Sequence, residues 1–332
     1  MANSDVVVIL GGAGFIGHEL TRRLEGTVAE LRVVSRGVAG PDREGVRFMR
    51  GDVLDPVQMD EIIQGATVVY HLTLEGDWTR GVTNVADACV RHGVRRLVFA
   101  STSDALNLSR SGTIYETEGP DPKPHLRNGY SRGKALSEKL LLQYFERDKL
   151  GVVIMRPCLV VGRSGKLQHG GIGRWTSPTT LVAWGDGRNK MPFVLVDDVA
   201  QAMALALDAP GIEGKAFNLA GDVFLSAQEY AAIAAELTLR NIRCYPTNLI
   251  LRGLSISIKA GLSAALKRRR QEGSTYYDMR SSGMITQIDN SQSKKLLGWK
   301  PVSDENEFRK QALLCHVKPL SPGDVRLEPR RA

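Results

Sequence analysis

Val6-Val7-Val8-Ile9-Leu10-Gly11-Gly12-Ala13-Gly14-Phe15-Ile16-Gly17 is the stretch whose reading decides the fold. A five-residue apolar run ends in glycines at Gly11, Gly14 and Gly17, and a helical pattern follows from near Phe15. That order predicts a buried parallel strand, a tight turn and a helix start. Gly11 permits the turn, Gly14 lets a pyrophosphate approach the backbone, and Gly17 lets the helix pack close to the sheet. An anion placed there meets free N–H groups at the positive end of the helix. A glycine-rich turn with no ligand is the bland alternative. Strand, spacing, helix and position agree, and together they favour dinucleotide binding.

Strand and helix signals alternate beyond this point. Leu31–Val34, Thr67–Tyr70, Arg96–Ala100 and Gly151–Met155 read as further buried strands, with helical patterns over Gly81–His92 and Arg132–Asp148. Short apolar strands alternating with helices predict an α/β fold built on a doubly wound parallel sheet. The segment Arg163–Pro192, rich in Gly, Ser, Thr and Trp, reads as a long functional loop region. Phe193–Val196 returns to strand pattern, Asp197 or Asp198 is placed to cap a helix Val199–Leu207, and Phe217–Leu219 is a short strand. Ser226 followed by Glu229 reads as a capping box opening a helix to Leu237. Apolar residues from Asn248 to Leu266 recur at helical spacing, which suits a packed helix better than a membrane-surface one. The expected organisation is a dinucleotide-binding domain over 1–165, with 193–222 returning to it. A smaller C-terminal substrate lobe takes 166–192 and 223–315, and 316–332 forms a poorly ordered tail.

Composition narrows the classes. The 332 residues are 42% hydrophobic and 24% charged, ordinary for a soluble globular protein with a large core. A first apolar run of five residues carrying a glycine turn argues against a signal peptide, and no stretch approaches the roughly 20 apolar residues that span a bilayer. Cys89, Cys158, Cys244 and Cys315 lie far apart, without metal-ligand spacing, which predicts reduced thiols in a cytoplasmic protein and no metal. The net charge of +8 is concentrated at Lys267–Arg270 and at Arg326, Arg330 and Arg331, with no aromatic residues interleaved. That pattern fits a solvated surface or a phosphorylated small molecule rather than nucleic acid.

Tyr130 and Lys134 stand four apart at a helix start, on one face. A phenol is a poor base at neutral pH, but a neighbouring ammonium favours its phenolate. Such a pair can move the proton of an alcohol while a nicotinamide takes or gives hydride. Ser101-Thr102-Ser103 ends the preceding strand, where parallel sheets present ligands, so one of these hydroxyls is placed to bind the substrate oxygen.

With these motifs in this order, the chain resembles the extended short-chain dehydrogenase/reductase family, in its NAD(P)-dependent epimerase/dehydratase branch, over about Val6 to Pro301. The resemblance implies a Rossmann fold and carries roles onto matching residues. Gly11, Gly14, Phe15, Ile16 and Gly17 would cradle the pyrophosphate. In Gly51–Asp55, Asp52 would meet the adenine amino group and Val53 its ring. His71-Leu72-Thr73 resembles the family's strand-four motif, so Leu72 and Thr73 would line the cofactor. Thr102 would carry the active hydroxyl, Tyr130 would be the acid/base, and Lys134 would assist it and hold the ribose. Pro157 would border the nicotinamide. Asp289–Ser291 through Leu297–Pro301 resembles a C-terminal motif typical of enzymes acting on nucleotide sugars.

Two departures sharpen the expectation. Where NAD enzymes of the family carry an acidic residue after strand two, this chain has Ser35 and then Arg36, which tilts the cofactor toward NADP over NAD. Only seven residues separate Thr73 from Gly81, Trp78 stands where an asparagine is usual, and Leu159 takes a substrate-binding asparagine's place. The expected protein is an NAD(P)-dependent epimerase/dehydratase, cytoplasmic and homodimeric, acting on a nucleotide sugar. Ser103, Arg174, Arg188 and Arg280 are its candidate substrate ligands. The alternatives are an NADP-dependent reductase or dehydrogenase of a non-nucleotide small molecule, and a non-catalytic cofactor-binding subunit or sensor.

Overall fold

Alternation within one strand sets the layers. Strand β1 (Asn3–Leu10) sends Val7 and Ile9 into one core cluster and Val8 and Leu10 into another, all fully buried. The two-residue period of a strand makes this unavoidable, and a strand apolar on both faces must be covered on both. The computed structural model describes residues 3–37, 40–73, 78–108, 112–163, 165–248 and 286–313, with isolated positions at 251, 253, 255, 258, 275 and 277.

Around β1 stand β2 (Val28–Ser35), β3 (Val46–Arg50), β4 (Val68–His71), β5 (Arg96–Ala100), β7 (Val152–Pro157) and β12 (Ala216–Leu219). They form one seven-stranded parallel sheet in the order β12-β7-β5-β4-β1-β2-β3. Helices α1 (Phe15–Leu24) and α5 (Val196–Leu205) cover the Val7 face through Leu20, Leu24, Val199 and Met203. On the opposite face lie α2 (Pro56–Ile63), α3 (Trp78–Arg91) and α4 (Gly129–Asp148), which bring Met59, Ile62, Val82, Val85 and Leu141. Strand order reverses between β1 and β4, so a crevice opens beyond their carboxyl ends. The doubly wound parallel sheet is therefore present.

Smaller sheets complete the molecule. Strand β8 (Leu159–Val161) pairs with β11 (Met191–Leu195), which also pairs with β13 (Val223–Leu225). Strands β9 (Gly173–Ser177) and β10 (Thr180–Ala183) form an antiparallel pair, and β14 (Arg243–Tyr245) joins β10. The segment read as a long loop thus contains a hairpin. Its strands are short and polar on one side, which left no detectable period. Strand β6 (Gly112–Ile114) pairs with β15 (Thr286–Ile288). Helices α6 (Ala227–Thr238), α7 (Ser291–Leu297) and α8 (Glu305–Leu313) follow, and Phe193 stacks on Tyr230 at 5.3 Å in the core of this region. The helix expected over Asn248–Leu266, the clusters Lys267–Arg270 and Arg326–Arg331, and Cys315 fall mostly or wholly outside the described residues. Cys89, Cys158 and Cys244 are free thiols. Among the described residues no helix is long and apolar enough to cross a membrane.

Caps agree with the sequence except at one helix. Ser226 and Glu229 form the reciprocal capping box at α6, and Asn128 caps α4 by accepting from the Ser131 N–H at 3.0 Å. Helix α5 starts at Val196, earlier than expected, and neither Asp197 nor Asp198 caps it; both lie in its first turn. Asp198 has another task. Its Oδ2 accepts from the Val302 N–H at 3.0 Å and its carbonyl from Trp299 Nε1 at 2.9 Å, which buttons the Leu297–Pro301 motif onto α5.

Burial pushes the Asp198 carboxyl up to about 6. An acid raised in the folded state stabilises the fold while protonated, and that contribution is lost as pH rises from the unfolded value near 4 through about 6. Asp198→Asn keeps an acceptor oxygen for Val302 and removes the ionisation. In urea unfolding series, the wild type should lose stability relative to Asp198→Asn between about pH 4 and 6, with a constant difference above.

Candidate functional site

The turn after β1 is a cradle shaped by backbone contact. Gly11 takes a φ of +88°, and its N–H and that of Gly12 both donate to the Val34 carbonyl, at 2.9 and 3.1 Å. A Cβ on Gly17 would lie 2.3 Å from the Gly11 carbonyl oxygen and 2.7 Å from Gly12 Cα, so only glycine lets α1 come this close. Gly14 stands at the N-cap of α1 without a side-chain cap, and no acidic residue occupies the first turn. Its N–H donates to the Gly11 carbonyl at 2.9 Å, which leaves the N–H groups at the start of the helix, Phe15 and Ile16 foremost, aimed where an anion is favoured. The residues present fit a dinucleotide pyrophosphate.

The flanking positions lie along the same strand ends. Ser35 closes β2, its hydroxyl donating to the Gly37 carbonyl, and Arg36 is exposed beside it. The Ser35 carbonyl accepts from the Gly51 N–H at 2.9 Å, which ties the Asp52–Val53 loop to β2. Asp52 Oδ1 accepts from the Leu54 N–H at 3.0 Å, Val53 is buried, and the Val53 carbonyl accepts from Asn84 at 2.9 Å. Leu72 and Thr73 follow β4, where the Leu72 N–H donates to the Leu10 carbonyl and the Thr73 hydroxyl pairs with His71 Nδ1 at 3.2 Å. Burial, with the nearby Lys134 ammonium, holds that imidazole neutral, its pKa lowered to about 3.

Beyond β5 the hydroxyls gather. Thr102 caps a short 3₁₀ turn, Ser103–Ala105, its Oγ1 accepting from the Asp104 N–H at 3.2 Å. Tyr130, in the first turn of α4, hydrogen-bonds Thr102. The residue is 38% exposed, yet burial at the phenol end and the Asp104 carboxylate push its hydroxyl up to about 12, while Thr102 pulls it down. Lys134 stands one helical turn further along α4. Its buried ammonium donates to the Ala100 carbonyl at 2.6 Å and lies 4.5 Å from the centre of the Phe99 ring. Pro157 ends β7 opposite Leu219, and the next residue, Cys158, has a thiol that burial pushes up to about 12 and that hydrogen-bonds Ser103.

Thr102, Ser103, Tyr130 and Cys158 are thus brought together, with Lys134 behind them. Arg174, on β9, and Arg188, after β10, are exposed, and Arg280 lies outside the described residues. Sequence reasoning missed Asp104 and Glu138. Glu138 was detectable, since it follows Lys134 by one helical turn; Asp104 carried no signal, because only the 3₁₀ turn places it near Tyr130.

The cradle is open to test. Gly17→Ala drives a Cβ into backbone and should destabilise the fold by about 1–3 kcal/mol while abolishing dinucleotide binding. Gly119→Ala, with no described atom within 4 Å, should change neither thermal unfolding nor calorimetric binding.

Comparisons with known proteins follow the same pattern. The chain is 28% identical over 243 residues to the 2-alkyl-3-oxoalkanoate reductase of Stenotrophomonas maltophilia, covering 67% of this chain and 72% of that one. It is 26% identical over 261 residues to the dTDP-glucose 4,6-dehydratase of Streptomyces antibioticus, covering 69% and 76%. In fold it is similar to MoeE5, solved in complex with UDP-glucuronic acid and NAD, with a TM-score of 0.70 at 22% identity over 94% of this chain and 98% of that one. The family model for the NAD dependent epimerase/dehydratase family matches residues 7–220, from β1 through the end of β12. A glycine cradle at the switch point, a tyrosine one helical turn before a buried lysine and this match agree: the chain belongs to the NAD-dependent epimerase/dehydratase family.

Proposed function

We propose that the protein oxidises or reduces a carbinol or keto carbon of a nucleotide sugar, with NADP or NAD held by Gly11–Gly17, Ser35, Arg36, Asp52, Val53, Leu72, Thr73 and Pro157. The observation that carries this reading is the Tyr130–Thr102 hydrogen bond at the carboxyl edge of β5, beside the glycine cradle. Bound there, a nicotinamide supplies the hydride acceptor and donor. The chain's own groups do the rest. Thr102 orients the substrate oxygen, and Tyr130 takes the proton from a hydroxyl or gives it to a keto oxygen. Lys134 holds the strand end through Ala100 and is placed to hold a ribose. The lobe carrying Arg174 and Arg188 offers cations to a pyrophosphate, a group that a partly desolvated site must neutralise. Relatives and structural neighbours whose names include dTDP-glucose or UDP-sugars support this substrate class.

A second reading is net reduction of a non-nucleotide ketone. It is favoured by Leu159, which stands where a substrate-binding asparagine is usual, and by the short connection from Thr73 to Gly81. The 28% identical reductase supports it too.

Thermal unfolding separates the two. A nucleoside diphosphate added to the NADP-loaded protein should raise the melting temperature by mass action, and UDP- or dTDP-hexoses should be turned over. A shift with uncharged ketones and none with any nucleoside diphosphate would overturn the nucleotide-sugar reading. Tyr130→Phe should lower kcat by about 10²–10⁴-fold at nearly unchanged cofactor affinity, because only proton transfer is removed. Lys134→Met should damage both.

Arg36 decides the cofactor. Losing a charge-assisted pair with a 2′-phosphate costs about 1.5–3 kcal/mol, so Arg36→Ala should weaken NADP about 10–100-fold in calorimetric titration and leave NAD nearly unchanged. Equal effects on both dinucleotides would remove the assignment.

A further inference from the structure

Helix α4 meets the end of β5 through three side chains one turn apart. Tyr130, Lys134 and Glu138 recur every four residues and share one face. Each engages a different residue at the strand end: Tyr130 the Thr102 hydroxyl, Lys134 the Ala100 carbonyl, and Glu138 the Ser101 hydroxyl. Glu138 is fully buried, and so is Arg156. Arg156 Nε donates to both Glu138 oxygens, at 3.0 and 3.2 Å, and Nη2 donates to Oε2 at 2.7 Å. The remaining nitrogen, Nη1, donates at 2.9 Å to the carbonyl of Glu118, in the loop leading from β5 to α4. Arg156 directly precedes Pro157, and its neighbour Met155 pairs with Ala100 across the sheet.

A buried ion pair stabilises poorly. Desolvation of the two charges offsets most of their attraction, and an apolar pair of similar volume commonly does as well. Its retention beneath these hydroxyls therefore needs a cause other than stability, and the contacts supply one. We propose that the Glu138–Arg156 pair positions the active set: it fixes Ser101, and with it the adjacent Thr102, against Tyr130. It also holds the Glu118 side of the loop in register with Pro157. Neither residue touches reacting atoms. Both act through Ser101 and the loop, so the inference rests on the roles given above to Thr102 and Tyr130.

Two variants test it. Glu138→Leu with Arg156→Met replaces the pair by apolar side chains, and Ser101→Ala removes only the bond from the strand end to Glu138. In each, Tyr130 is replaced by 3,5-difluorotyrosine, whose lower phenol pKa brings its titration into an accessible range for fluorine NMR. Once Thr102 is no longer held in place, its donation to the phenolate weakens. The titration should then move to higher pH by about half a unit or more in both variants. The unmodified-tyrosine forms should keep their NADP affinity, and on any UDP- or dTDP-hexose turned over by the wild type kcat should fall at least about tenfold at unchanged KM. Ile212→Ala, a buried truncation at the other edge of the sheet, should leave the titration where it was. An unchanged titration in the folded variants overturns the proposal, and Ser101→Ala decides alone if the double variant does not fold. Absence of turnover by the wild type would count against the proposed function, while the titration still decides the positioning role.

Discussion

The close approach of α1 to the turn after β1 is the constraint on which the site depends. Gly17 rests against the backbone of Gly11 and Gly12, so the helix starts directly at the sheet's edge and its first N–H groups face the crevice. Every other part of the site is then fixed relative to β1 by the parallel ladder. Strand β2 brings Ser35 and Arg36, β4 brings Leu72 and Thr73, β5 brings Thr102, and β7 brings Pro157. Parallel strands end at the same edge by construction, which is why groups so distant in sequence converge without long loops.

Much of this was legible in the sequence because the period of the side chains is strict. The β1 run, the glycine spacing and the strand signals at β4, β5 and β7 all rest on burial on both faces, with polar residues confined to positions near the strand ends, at His71, Arg96 and Arg156. The Ser226–Glu229 box was legible for a similar reason, since its chemistry is local. What failed was decided by distant partners. Asp198 lost its capping role to Val302, more than a hundred residues away. The β9–β10 hairpin escaped because short strands with a polar face carry too few apolar residues to show a period.

Electrostatics around Tyr130 follows from which groups are sealed in. The Lys134 ammonium is satisfied by a carbonyl and an aromatic face, and a neutral imidazole at His71 lies close enough to feel its charge. The phenol of Tyr130 is opposed by Asp104 and helped by Thr102. A hydroxyl in that balance responds strongly to any charge added beside it, as a poorly solvated site magnifies each Coulomb contribution.

One contact has a consequence for how the molecule comes into being. Glu116, in the loop between β5 and α4, is buried and accepts from the N–H groups of Asn218, Gln292 and Ser293 and from the Ser293 hydroxyl, across as many as 177 positions of sequence. On the ribosome, β1 through β7 emerge and can pair well before residue 293 exists. The segment joining Thr102 to Tyr130 therefore receives this fastening only once residue 293 has been made. A chain that stops short of residue 292 has the glycine turn after β1 but lacks the Gln292 and Ser293 tethers on the segment that leads to Tyr130.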